Sequence, residues 1–250
     1  KGVAYGTFFS ALITSIIFLI YTFWYLSKYA KIEIKFAQIL NLKKIKDIFN
    51  INLNIFIRTI LLTFSFLWFT YLGTQIGEDY VAANAILINL VFLSAFILDA
   101  YAFSTEGIVG YSLGKKDLTL FKNIVRNSFI LSSISGLIIS IIFFFTNNFV
   151  INFMSDIDEI RKLSSSYVIW LIILPVISSF CYQFDGIFIG ASQTKELRNA
   201  MIFSVLVYLL ISILLIKFLF NTGIWISLCI FMILRAISLF WYLNRIYLRF

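Results

Sequence analysis

The chain has 250 residues, 61% of them hydrophobic and only 13% charged, with a mean hydropathy of +0.97, values outside the range of soluble domains. It has no histidine, which removes imidazole-based metal sites and proton relays; its two cysteines, Cys181 and Cys229, both lie in apolar runs and form neither a disulfide framework nor a CxxC site. The net charge of +8 is read as cytoplasmic loops of a membrane protein and not as a nucleic-acid surface.

Seven apolar segments follow in order: Val3–Ser27, Ile48–Leu72, Val81–Leu113, Asn127–Phe145, Leu163–Ala191, Ala200–Phe220 and Gly223–Leu243. Each is long enough to cross a bilayer as a helix, so the expected class is an all-α polytopic membrane protein with seven spans. The chain opens KGVAYG, without methionine or a charged n-region. Gly2–Leu26 is therefore no signal peptide; it reads as a span already under way, in a chain that is part of a longer protein.

The connections alternate in charge. Lys28–Lys46 carries six lysines, Lys115–Arg126 four basic residues, and Lys195–Arg198 and Arg245–Arg249 two each, against Lys1, Arg161, Lys162 and Lys217 on the other side. The positive-inside rule makes the richer side cytoplasmic and puts the C-terminus inside. Within Lys28–Asp47 the pattern of Ile32, Ile34, Phe36, Ile39 and Leu40 among lysines fits either an amphipathic segment on the membrane surface or a basic tether.

The third segment, within Val81–Gly114, carries Asp99 and Glu106 in an otherwise apolar run. A carboxylate near the centre of a span costs about 2.5–3.5 kcal/mol on insertion scales. The two lie seven residues apart, so they share a helix face with Ala102, Phe103 and Gly110. Small residues (Ala102, Gly107, Gly110, Gly114) predict close packing there against other helices.

Counted from the basic borders, Arg58, Glu106, Asp185 and Arg235 all lie roughly 13–18 Å deep at 1.5 Å per residue. Arg58 and Arg235 are expected to neutralise Glu106 and Asp185 across helices. Asp99, about 24 Å from the same border, has no cation at its depth and suits reversible protonation or cation exchange. Asn84 and Gln183, along with Asn52, Asn54 and Asn89, are candidates either to line a polar cavity or to hydrogen-bond between helices. Pro175, the one proline, predicts a mid-span kink. Gly186 and Gly190 form a GxxxG pattern after Asp185, a helix-packing device.

The first and last segments resemble each other, Gly2 aligning with Gly223 and Tyr21 with Tyr242. Such a repeat fits two six-helix halves, as in secondary transporters. The stretches NLNIFIRTILLTFSFLWFTYLGTQIGEDYVAANAILINL, LDAYAFSTEGIVGYSLGKKD and FDGIFIGASQTKELRNAM are similar to the DinF-like branch of the multidrug and toxic compound extrusion (MATE) transporters. Arg58, Asn84, Asp99, Glu106, Asp185 and Gly186 fall on the shared motifs. The resemblance implies twelve helices in two lobes, and export of drugs or other amphiphiles in exchange for protons or sodium ions. On it, residues 1–28 are the last helix of the N-terminal lobe, 29–47 a cytoplasmic linker, and 48–250 the C-terminal six-helix lobe.

The sequence departs from the family pattern twice. The first lobe is absent, and with it the first-helix aspartate associated with cation coupling in this branch; and the usual LDGFA-type run reads LDAYA, with Ala100 in place of glycine. The resemblance implies a transporter and no enzyme, in the cytoplasmic membrane. It implies no cofactor or metal beyond the coupling ion, and membrane lipids, a small-molecule substrate and the missing N-terminal lobe as partners. Two alternatives stay open. A flippase for lipid-linked sugars or peptidoglycan precursors would show cationic residues along its cavity. A seven-helix receptor of the retinal type would need a lysine within Gly223–Leu243, which has none.

Overall fold

Side chains cap the starts of two of the helices, and charged residues complement the ends of a third. The computed structural model describes residues 2–29 and 41–248, so the expectation of a surface segment, which rests on residues 32–40, lies outside the described residues. Helix α1 (Gly2–Tyr29) belongs to one compact unit, Lys1–Ile48; Phe49–Phe250 forms the other. Helix α2 (Leu42–Thr74) starts after Asn41, whose Oδ1 accepts from the amides of Lys43 and Lys44 at 3.1 and 3.3 Å, an N-cap. Helix α3 (Glu78–Lys115) has Glu78 and Asp79 in its first turn and Lys115 in its last, charges that complement the helix dipole at both ends. Asp117 then caps α4 (Leu118–Met154), accepting from the Leu120 amide at 2.8 Å.

The fifth expected segment, Leu163–Ala191, is two helices and not one. A short amphipathic α5 (Asp158–Ser166) ends at Tyr167, and α6 (Val168–Gly190) follows. Pro175 lies inside α6, which stays helical on both sides of it. The fourth expected segment, Asn127–Phe145, is only the apolar middle of α4, which continues at both ends.

Among the described residues, six helices are long and apolar enough to cross a membrane. The last, α7 (Thr194–Tyr242), is broken at Phe220, where φ is 48° and ψ −131°. The Tyr208 and Phe231 rings meet at 5.2 Å, and Arg245 reaches Glu196 at 3.0 Å. A continuous helix would hold Tyr208 and Phe231 roughly 35 Å apart. The two halves of α7 are therefore an antiparallel hairpin and make two spans, which brings the total to the seven expected. Gly223 sits at the turn, where a Cβ would overlap the Leu215 carbonyl. A four-residue helix α8 (Asn244–Tyr247) follows.

Helix directions alternate within Phe49–Phe250. Phe66 of α2 packs on Phe92 of α3 at 4.9 Å, and Gly73 lies beside Asn84, so this pair is antiparallel. Ala102 and Glu106 meet Gly186 and Gly190 in the same order, so α3 and α6 run parallel. Ser140 donates to the Ile172 carbonyl at 2.5 Å while Gly136 faces Pro175, so α4 opposes α6. Two apolar clusters result. One gathers Phe69, Leu98, Leu171, Tyr208 and Trp225; the other gathers Val109, Phe121, Phe188, Leu239 and Ile246 near the basic border. On α6 the first cluster ends at Tyr182 and the second starts at Phe184; on α7 the first ends at Met232 and the second resumes at Leu239. Asp185 and Arg235 fall at this seam.

Candidate functional site

The spacing of α6 puts Tyr182, Asp185, Gly186 and Ile189 on one stripe, and that of α3 does the same for Asn89, Phe92, Phe96, Asp99, Phe103 and Glu106. These two stripes, with Arg58, Leu62 and Phe66 of α2, line a cavity of about 540 Å³. The α3 and α6 backbones come together because Gly186 and Gly190 have no side chain. A Cβ on either would overlap the carbonyl oxygen of Ala102 or Glu106. Gly110 takes part too, since a Cβ there would lie 3.4 Å from the Gly190 carbonyl oxygen. Gly107 and Gly114 do not, having no neighbour within 4 Å, and Phe103 is 70% exposed. The small-residue face is thus narrower than its sequence pattern predicts.

Asp185 is 5% exposed, and two arginines converge on its Oδ2. Arg235, at 1% exposure, donates through Nη2 at 2.7 Å, and Arg58 donates through its own Nη2 to the same oxygen. This corrects the expected pairing of Arg58 with Glu106: depth along a helix does not fix the direction in which a side chain points, and Arg58 turns to α6. Arg235 sits behind Asp185, outside the cavity lining, and lies over the Phe231 ring at 5.5 Å.

Asp99 and Glu106 are both half-buried on the cavity wall, and their side chains make no hydrogen bond or ion pair with another described residue. Asp99 is not alone at its depth, however. Lys43, Lys44 and Lys46 lie inside α2 and not before it, so the basic border was placed too deep on that helix. Continuing the register set by Phe66 and Phe92 brings Arg58 level with Asp99, and both face the same cavity.

The other two candidates lie elsewhere. Asn84 is buried some four turns towards the opposite border, where its Oδ1 accepts from Trp225 Nε1 at 2.9 Å and Asn221 Nδ2 at 3.1 Å. It ties α3 to the α7 turn. Gln183 is buried beside the cavity without lining it; its Oε1 accepts from Thr105 Oγ1 at 3.0 Å, and its Nε2 has no partner among the described residues. Asn54 faces the basic border, bonded to Arg198 at 2.8 Å and Thr194 at 3.3 Å. Of the asparagines only Asn89 lines the cavity.

Sequence reasoning set Phe96 beside Asp99 but passed over Tyr182, Phe66 and Phe92. Extending the Asp99–Glu106 stripe backwards by three and four residues would have reached Phe96, Phe92 and Asn89. The lining thus holds three carboxylates against one arginine, with aromatic walls around them. It can take a cation with an apolar body, and its balance is opposite to the cationic lining a flippase for anionic lipids would show.

The family model described as MatE matches residues 55–215. The Escherichia coli (strain K12) DNA damage-inducible protein F is 33% identical over 189 residues, spanning 76% of this chain and 41% of that protein. The Arabidopsis thaliana Protein DETOXIFICATION 42 is 24% identical over 188 residues, 74% of this chain and 36% of its own. The chain spans about two fifths of the length of these curated relatives. Among solved structures, the Vibrio cholerae MATE transporter VcmN in the bent form superposes with a TM-score of 0.74 at 18% identity, over 85% of this chain and 50% of that one. These matches set aside the seven-helix receptor alternative. With a family model matching well over half of its residues, the chain belongs to the MatE family of membrane transporters.

Proposed function

We propose that residues 48–250 are the C-terminal six-helix lobe of a secondary transporter, preceded by the last helix of its first lobe. The whole protein exports drugs or other amphiphilic cations across the cytoplasmic membrane in exchange for protons or sodium ions. The observation that supports this reading best is the cavity, where two carboxylates without fixed partners project among phenylalanines. Asp185 is already neutralised by Arg58 and Arg235, which leaves Asp99 and Glu106 as groups whose cation can change. The aromatic walls hold the apolar body of a substrate and attract its charge through the ring faces. A proton or sodium ion and a cationic substrate compete for the same carboxylates, so loading one releases the other, and access from alternate sides turns competition into exchange. The basic border faces the cytoplasm, and the C-terminus with it.

The test is Asp99→Asn in the full-length protein reconstituted into proteoliposomes, with Glu106→Gln alongside. Asparagine keeps the shape and removes the exchangeable charge. Normal folding with lost export of a cationic dye is the expected result. Export by Asp99→Asn at wild-type rate, with unchanged proton and sodium dependence, overturns the coupling role.

A further inference from the structure

A second concavity, of about 580 Å³, lies between the two halves of α7 and draws nothing from α2, α3 or α6. Its floor and walls are apolar, formed by Ala200, Phe203, Leu234, Ile237 and Trp241. Its end at the basic border carries Asn199 and Arg245, while Ser238 lies deeper, beside Ile237. From Leu234 to Arg245 the groove follows the helix for roughly 16 Å, about half the thickness of a bilayer's hydrocarbon core. Trp241 is 78% exposed at its rim, and the Arg245 side chain is 59% exposed.

The charges at this end are uneven. Residues 194–199 and 241–248 carry Lys195, Arg198 and Arg245 against one carboxylate, Glu196, which is buried and bonded to Arg245 at 3.0 Å. Arg198 is directed by Asn54 and Asn199, whose side-chain oxygens accept from its guanidinium at 2.8 to 3.1 Å. Arg245 lies over the Tyr242 ring at 5.0 Å, which orients its guanidinium along the rim. An exposed tryptophan beside an arginine, at the end of an apolar groove one leaflet long, matches an amphiphile with an anionic head and acyl tail. Basic recesses between membrane helices take anionic lipid headgroups in this way.

We propose that this groove is a binding site for one anionic diacyl phospholipid of the leaflet at the basic border. The headgroup phosphate sits against Arg245 and the Asn199 amide, and an acyl chain runs along Phe203, Ile237 and Trp241. The bound lipid spans both halves of the hairpin and fastens them where they end. The proposal requires only that the helices cross a bilayer; it is independent of the transport reading, and so is its test.

The experiment uses the full-length protein in vesicles of dioleoylphosphatidylcholine doped with phosphatidylglycerol or phosphatidylcholine brominated on the acyl chain. Bromine quenches tryptophan on contact, and Trp241→Phe identifies the Trp241 share of the emission. Brominated phosphatidylglycerol is expected to quench that share at several-fold lower mole fraction than brominated phosphatidylcholine. Arg245→Gln is expected to abolish the difference, and inorganic phosphate to leave it in place. Should Arg245→Gln fail to fold for want of its Glu196 pair, Ser238→Phe fills the groove without touching that pair and is expected to have the same effect. Equal quenching by the two lipids in the unaltered protein identifies ordinary surrounding lipid and overturns the proposal. So does a preference that survives Ser238→Phe, or one that free phosphate removes.

Discussion

The clamp on Asp185 predicts an order of damage that simple pairing does not. Arg235 and Asp185 have side chains only 2% and 6% exposed, and Arg58 is 15% exposed. Removing one partner of a buried pair typically costs about 3–5 kcal/mol, because the other charge is left unpaired. Arg58→Gln leaves Asp185 still bonded to Arg235 and removes only the less buried cation, the one on the cavity wall, so it should fall below that range. Arg235→Gln removes the more deeply buried cation and should fall within it. Asp185→Asn strands two guanidiniums at once and should be the most harmful. For a chain of this size 1 kcal/mol moves the melting temperature by about 2–4 °C, so Arg235→Gln should lower it by roughly 6–20 °C in detergent. Size-exclusion of heated samples, with fluorescence detection, reads this directly. The double variant Arg235→Gln with Asp185→Asn should lose less than the sum of the two single losses. Strict additivity, or Arg58→Gln proving the most damaging of the three, would refute the clamp.

Other perturbations follow from particular contacts. Gly186→Ala forces a Cβ onto the Ala102 carbonyl and should destabilise by about 1–3 kcal/mol. Gly107→Ala meets nothing within 4 Å and should be neutral or stabilising by up to about 1 kcal/mol; equal melting temperatures for the two would count against the α3–α6 approach. Phe220→Gly removes a side chain from a positive-φ position at the α7 turn and should stabilise by about 1 kcal/mol, with a lowered melting temperature as the contrary result. For orientation, a membrane-impermeant maleimide applied to intact cells should label Glu78→Cys and spare Lys44→Cys; labelling of Lys44→Cys would reverse the assigned sides.

The spans were legible because lipid leaves a plain mark: long apolar runs ended by polar residues. The break between Ala200–Phe220 and Gly223–Leu243 was visible for the same reason, since Asn221, Thr222 and Gly223 interrupt the apolar run. The division at Tyr167 was not, because no proline or glycine marks it and Val168 continues the apolar pattern. The length of α4 was missed because its ends extend past the apolar middle that a hydropathy reading detects. In the site, Arg58, Asp99, Glu106 and Asp185 were conspicuous as charges in apolar company, and the structure gathers all four on one cavity. Their partners were not legible. Pairing depends on azimuth and on where each helix begins, and neither follows from a count of residues to the nearest lysine.

The arrangement divides the carboxylates by how they are held. At a separation of 4 Å, and an effective dielectric of 20, two unit charges interact by about 4 kcal/mol. A mobile cation approaching Asp185 is attracted by one carboxylate and repelled by two arginines that reach it first, so it gains nothing from binding there. The same cation at Asp99 or Glu106 displaces no fixed partner. Those two groups project from α3, which Gly186 and Gly190 hold tightly against α6, the helix that carries the clamp. On the proposed mechanism, fixing one carboxylate with two cations ties α6 to α2 and α7 through exchange. The two carboxylates left open can then change occupant without loosening the lobe that presents them.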